Sequence, residues 1–177
     1  MKKLSLILVF ISAFINAQVQ WMSFNEAIEA QKKTPKKILV EVYATWCGPC
    51  KIMEHKTFGH PEISKYINEN YYAVKFNGEG NESINYMGKT FGNPKYRPNI
   101  SGRNAMHEFT QFLNITGYPT TIFFDEKAGF ITNIVGAFSP KEIEPLLHFF
   151  ATDEHKKIKS KEEWEQYEKK FKSKIKD

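Results

Sequence analysis

The chain contains two cysteines, Cys47 and Cys50, and only two residues lie between them. They follow a short apolar, β-branched run, Ile38-Leu39-Val40-Glu41-Val42-Tyr43, and lead into a helical stretch from about Cys50 to Thr57. That order puts Cys47 at a helix start directly after a strand. The positive end of the helix dipole and the unpaired first-turn amides both favour an anion there. The Cys47 thiol is therefore expected to titrate low, within the range of about 3.5–7.5 of such sites. Its thiolate can attack a disulfide and form a mixed disulfide. Cys50, one helical turn on, then attacks the Cys47 sulfur and releases the reduced product. Pro49 restricts the turn and Gly48 permits close backbone approach.

Two other uses of the cysteines stay open at this point. A purely structural disulfide would close too small a loop to stabilise much. Cys47, Cys50, His55 and His60 also spell C-x2-C-x4-H-x4-H. Zinc-finger ligand pairs, however, are normally separated by a longer segment that folds over the metal. Redox chemistry is the favoured use, with no metal and no cofactor beyond a redox-active Cys47–Cys50 disulfide.

Cys50 must lose a proton when it resolves the mixed disulfide. Glu41 lies in the apolar strand, where burial raises a carboxyl pKa and makes it a base near neutral pH. It sits between Val40 and Val42, so alternation alone does not separate this from a solvent-facing position. Glu54 has a solvated helix face as its bland alternative.

The elements that position these residues are legible from local signals. Ser23 to Glu26 is a capping box that opens a helix with Phe24, Ala27 and Ile28 inward. His60-Pro61-Glu62 opens another, carrying Ile63, Tyr66 and Ile67, and Tyr71–Phe76 reads as a strand. Residues 77–104 hold five Gly, six Asn and two Pro, too long a stretch to be structureless in a compact domain. A small hairpin, Ile84–Tyr86 with Thr90–Phe91 around Met87-Gly88-Lys89, is expected within it. Asn104 is expected to cap a helix with Ala105, Met106, Phe109, Phe112 and Leu113 inward. Thr120–Phe124 and Phe130–Val135 read as strands, and Ser139 to Glu142 as a capping box for a further helix. Ser160 to Glu163 caps a last one, with Trp164, Tyr167, Phe171 and Ile175 forming an apolar stripe that either docks or meets a partner. Strands alternating with helices indicate an α/β fold, a mixed sheet with helices on both faces.

Composition narrows the function classes. Hydrophobic residues make up 41% of the 177, and the 10 Gly bring the apolar class to about 47%, an ordinary globular value that argues against disorder. Met1-Lys2-Lys3, an apolar run to Ile15 and Asn16-Ala17 read as a signal peptide cut after Ala17, with an uncleaved membrane anchor as the alternative. The run is shorter than the ~20 residues of a membrane span. The mature protein is therefore expected to be exported, without stable membrane insertion. The formal charge is +5, but residues 1–17 hold two Lys and no acid, and residues 152–177 hold nine Lys against seven acids. The remaining +1 on residues 18–151 gives no basis for nucleic-acid binding.

Trp46-Cys47-Gly48-Pro49-Cys50-Lys51 resembles the active-site motif of the thioredoxin family. Gly117-Tyr118-Pro119-Thr120, ahead of an apolar strand, is similar to that family's second motif, in which the Pro is cis and faces the CxxC. The resemblance spans about Trp21 to Ala151 and leaves out residues 77–104 and the tail. Lys51 to Phe58 and then His60-Pro61-Glu62-Ile63 are similar to the segment after CxxC in the C-terminal periplasmic domain of DsbD-type disulfide interchange proteins. The resemblance implies a thioredoxin fold with an insertion at 77–104. It implies that Glu41 is the acid buried behind the second Cys, in place of the commoner Asp, that Glu54 is a second acid near that Cys, and that Lys75 lies near the buried acid. Tyr43 stands where cytoplasmic thioredoxins usually carry Trp. A cis Pro119 would bring Tyr118 backbone groups beside a substrate strand.

The expected protein is thus a periplasmic thiol–disulfide oxidoreductase comprising a signal peptide (1–17), a thioredoxin-like domain (18–151) and a charged helical tail (152–177). By resemblance, Gly48-Pro49 favours reduction or electron relay. An oxidase or isomerase and a partner-binding module are the alternatives. The expected partners are protein thiols and disulfides and an upstream electron donor; oligomeric state is left open.

Overall fold

The computed structural model describes residues 18–176. The expected leader, residues 1–17, lies outside the described residues. The central sheet has five strands: β1 (Trp21–Met22), β2 (Lys37–Tyr43), β3 (Tyr71–Asn77), β6 (Thr120–Phe124) and β7 (Phe130–Val135), in the order β1-β3-β2-β6-β7. The first three run parallel, and β6 and β7 are antiparallel. The apolar run of β2 takes the centre, with every residue from Lys37 to Val42 buried, as coverage of both faces requires.

Strand alternation divides the core. Ile38, Val40 and Val42 face a cluster with α1 (Phe24–Lys33), the β4–β5 hairpin (Ile84–Tyr86, Lys89–Phe91) and α4 (Glu108–Phe112). Leu39 faces the other cluster, with α2 (Gly48–Met53), the π-helical turn Glu54–Phe58, α3 (Pro61–Asn70) and α5 (Pro140–Ala151). Helices therefore cover both faces. Glu41 shares the parity of Leu39, and its 1% exposure leaves no solvent-facing alternative.

The capping boxes at Ser23, Ser139 and Ser160 all form. The two-residue strand β1 carries no local signal and exists through its pairing with β3. Several expectations are corrected. The helix after Cys47 begins at Gly48 and changes to π-helix at Glu54. The hairpin turn is Met87-Gly88, both at positive φ, so Lys89 belongs to β5. Asn104 caps no helix. Its side chain accepts from the Arg97 N–H at 3.0 Å and donates to the Arg97 carbonyl at 2.7 Å, while His107 caps α4. Met106 and Phe112 consequently face outward, and Phe109 and Leu113 carry the burial.

The apolar stripe of the tail docks. Helix α6 (Lys161–Lys170) sets Trp164 and Tyr167 against Phe149, with ring centroids 4.9 and 5.3 Å away. It ends at Lys170, earlier than the stripe predicts, because the next residues run back along α5. There the buried Glu144 accepts the Ser173 hydroxyl and, at 2.9 Å, the Lys174 N–H. At the start of β2, buried Lys37 pairs with Glu126 and with Asp153 at 2.8 Å. These bonds outweigh the desolvation of Lys37 and raise its pKa.

Candidate active site

Strand β2 delivers the chain to Cys47, the N-cap of α2. Cys47 Sγ accepts the Cys50 N–H at 3.1 Å, an amide contact that favours sulfur charge. Cys47 and Cys50 are joined in a disulfide. The peptide Tyr118–Pro119 is cis, and Tyr118 packs against the Ala44–Cys47–Cys50 cluster. Gly78 admits the Tyr118 ring: a Cβ there would lie 2.5 Å from a ring carbon.

Behind Cys50, Glu41, Cys50 and Glu54 line one open cavity of about 230 Å³, with Tyr43, Ala44, Thr45 and Lys51. Both Glu41 carboxyl oxygens are buried without a hydrogen-bond partner among the described residues. Burial raises its pKa to about 7; Lys75 pulls it down, and Glu54 pushes it up. Lys75 is the register partner of Glu41 across β2 and β3. Its ammonium forms an ion pair with Glu54 and lies 5.1 Å from the centre of the Tyr43 ring. The π-helical turn carries Glu54 into that pairing, in keeping with the frequent placement of such turns at functional sites.

The structure thus brings together the sequence-predicted Cys47, Cys50, Glu41, Glu54, Lys75, Trp46 and Tyr118. Gly48 and Pro49 form the exposed first turn of α2. His55 is exposed, and His60 uses its ring to cap α3. Among the described residues, no group of three or more His, Cys, Asp or Glu is placed to share a metal.

Sequence reasoning missed what holds Trp46. Its indole N–H donates to Glu79 at 2.8 Å, its face carries the Arg103 guanidinium at 4.5 Å, and its ring meets Tyr118 edge-on at 5.9 Å. Glu79 also accepts the Asn104 N–H at 2.7 Å. Glu79 and Arg103 belong to the Gly- and Asn-rich 77–104 segment. The available signal was a carboxylate two residues beyond the carboxyl end of β3, the edge where open α/β sheets bind ligands.

A mixed sheet covered on both faces, a CxxC disulfide at a helix start and a cis-proline turn beside it define the class: a thioredoxin-fold protein equipped for thiol–disulfide exchange. The chain belongs to the thioredoxin-like domain family, whose model matches residues 24–151. It is 33% identical over 72 residues to thioredoxin Y, chloroplastic, of Oryza sativa subsp. japonica, covering 41% of each chain. It is 25% identical over 104 residues to the thiol:disulfide interchange protein DsbD of Citrobacter koseri, covering 58% of this chain and 14% of that one. The chain therefore spans less than half the length of these curated relatives. A thioredoxin-fold protein from Helicobacter pylori shares the fold at TM-score 0.56 and 16% identity, over 89% of this chain and 91% of the other. A Thermus thermophilus thioredoxin does so at TM-score 0.54 and 16% identity, over 74% and 85%.

Proposed function

We propose that the protein is an exported thiol–disulfide oxidoreductase that reduces protein disulfides, or relays electrons to them, through the Cys47–Cys50 dithiol. The observation that carries this reading is Glu41, a carboxyl buried without a hydrogen-bond partner among the described residues in the cavity that Cys50 lines, where burial pushes its pKa up to about 7. In the reduced protein the Cys47 thiolate attacks a substrate sulfur. The substrate S–S bond breaks, and its leaving sulfur takes a proton. Cys50 gives its proton to the Glu41 carboxylate, directly or through water, and attacks Cys47 Sγ. The second substrate sulfur leaves. Two electrons have then passed from the protein dithiol to the substrate, and an upstream dithiol donor must restore the pair. Tyr118 offers backbone groups for the strand flanking the substrate cysteine.

Cys47→Ser is expected to abolish exchange, and Cys50→Ser to accumulate mixed disulfides. Identifying the proteins trapped by Cys50→Ser in the exporting cell names the substrates. Full exchange activity in Cys47→Ser would overturn the reading. A reduction potential near that of a strong oxidant, about −120 mV, would reverse the proposed direction. Export rests on the leader pattern of residues 1–17. The exported protein is expected to begin at Gln18, and an N-terminus at Met1 overturns cleavage.

A further inference from the structure

The rim of the disulfide site carries charge that the proposed exchange chemistry does not use. Arg103 is exposed, and its guanidinium sits over the Trp46 ring, 4.5 Å from its centre; Trp46 is itself 36% exposed beside Cys47. Lys51, the residue directly after Cys50, is also exposed and lines the cavity behind that cysteine. Two of the acids near this rim already have partners. Glu79 is buried and accepts both the Trp46 indole N–H and the Asn104 N–H, while Glu54 is paired with Lys75. No ion pair to Arg103 or Lys51 is found among the described residues. The loop bearing Arg103 is tied down on both sides. Asn104 holds Arg97, and the Asn93 side chain donates to the carbonyls of Gly80 at 2.9 Å and Ala105 at 2.7 Å. A guanidinium stacked on an aromatic face keeps its edge N–H donors free for a carboxylate. Because residues 18–151 carry only +1 in total, cations at this rim are a local feature.

We propose that Arg103 is a substrate-recognition residue that selects disulfides whose flank carries a carboxylate. This rests on the oxidoreductase reading above and names its preferred substrate class. An acidic residue beside the attacked sulfur would meet the guanidinium as the Cys47 thiolate approaches. A lysine there would be repelled.

The test is a single-turnover reaction of pre-reduced, leaderless protein with three disulfide peptides that differ in one flanking residue, Asp, Asn or Lys. At an ionic strength of about 0.01 M the Asp peptide is expected to react about tenfold faster than the Lys peptide. That ratio should collapse at about 1 M, where screening is strong. Arg103→Gln is expected to cut the ratio to about threefold or less, while Arg103→Lys retains most of it. A merely structural Arg103 would change all three rates together and leave the ratio intact. A wild-type ratio within about twofold, or one unchanged in Arg103→Gln, overturns the proposal. Failure of the reduced protein to reduce even the Asn peptide is a distinct result and removes the oxidoreductase reading itself.

Discussion

Glu41 is an acid without a hydrogen-bond partner among the described residues, in a site where both sheet faces are covered. Its environment sets two pH dependences of opposite sense. As a base for Cys50 it works only when ionised. Resolution of the mixed disulfide should therefore accelerate as pH rises through about 7. Glu41→Gln should flatten that profile and slow resolution at pH 8 by about 10²-fold, a typical general-base contribution. Quenched-flow measurement of the trapped intermediate reads both, and an unchanged profile removes Glu41 from proton transfer. Stability runs the other way. The carboxyl pKa rises from an ordinary 4.5 to about 7 in the fold, so between those values the folded state binds more protons. Its stabilising effect is complete below the lower value and is lost as pH rises through the upper one. Glu41→Gln should therefore raise stability more at pH 8 than at pH 4, by up to about 3 kcal/mol at 1.36 kcal/mol per unit. Urea titrations at the two pH values measure the difference. Equal shifts would show that the buried charge costs the fold nothing.

The elements divide into those that announce themselves locally and those that exist through a distant partner. Ser23, Ser139 and Ser160 each find their Glu three residues on, so their helices were legible from short windows. The positions of Cys47 and Cys50 were legible for the same reason, since strand, turn and helix follow one another directly. Asn104 has the chemistry of a cap, but its side chain bonds to the Arg97 backbone, a choice made by the loop's path. The sequence likewise left the face of Glu41 open until helices were seen on both sides of β2. The contact of Glu79 with Trp46 spans 33 residues and has no periodic signature. That contact makes the 77–104 segment part of the site. Glu79→Ala would strand two donors, Trp46 Nε1 and the Asn104 amide. We expect a loss of about 2 kcal/mol and faster hydrogen exchange at Asn104. Retained protection at that amide would show that the loop is held without Glu79.

At the scale of the whole molecule, the described residues of the tail are bound at three places on α5, and none of their described contacts is at the disulfide. Trp164 and Tyr167 cover Phe149, which is 8% exposed in the intact chain; Phe171 meets His148 at 5.1 Å; and Glu144 holds Ser173 and Lys174. Its mixed charges face water, which accounts for a highly charged sequence lying against an apolar core. A partner surface made of the same stripe would have to pull these rings off Phe149. Ending the chain after Lys159 keeps the Lys37–Asp153 pair and removes only the docked segment. The truncation uncovers Phe149 and leaves the buried Glu144 without its two donors. Losing one aromatic packing site and two hydrogen bonds to a carboxylate should cost about 2–3 kcal/mol, or roughly 5–10 °C in Tm for a chain of this size. Exchange through Cys47 should persist at temperatures where the shortened chain remains folded, because no described tail contact reaches Glu41, Trp46 or Tyr118. Calorimetry and a disulfide-reduction assay on the same sample separate the two effects. An unchanged Tm would show that the stripe adds nothing to the fold, and lost exchange in a folded sample would tie the tail to the site.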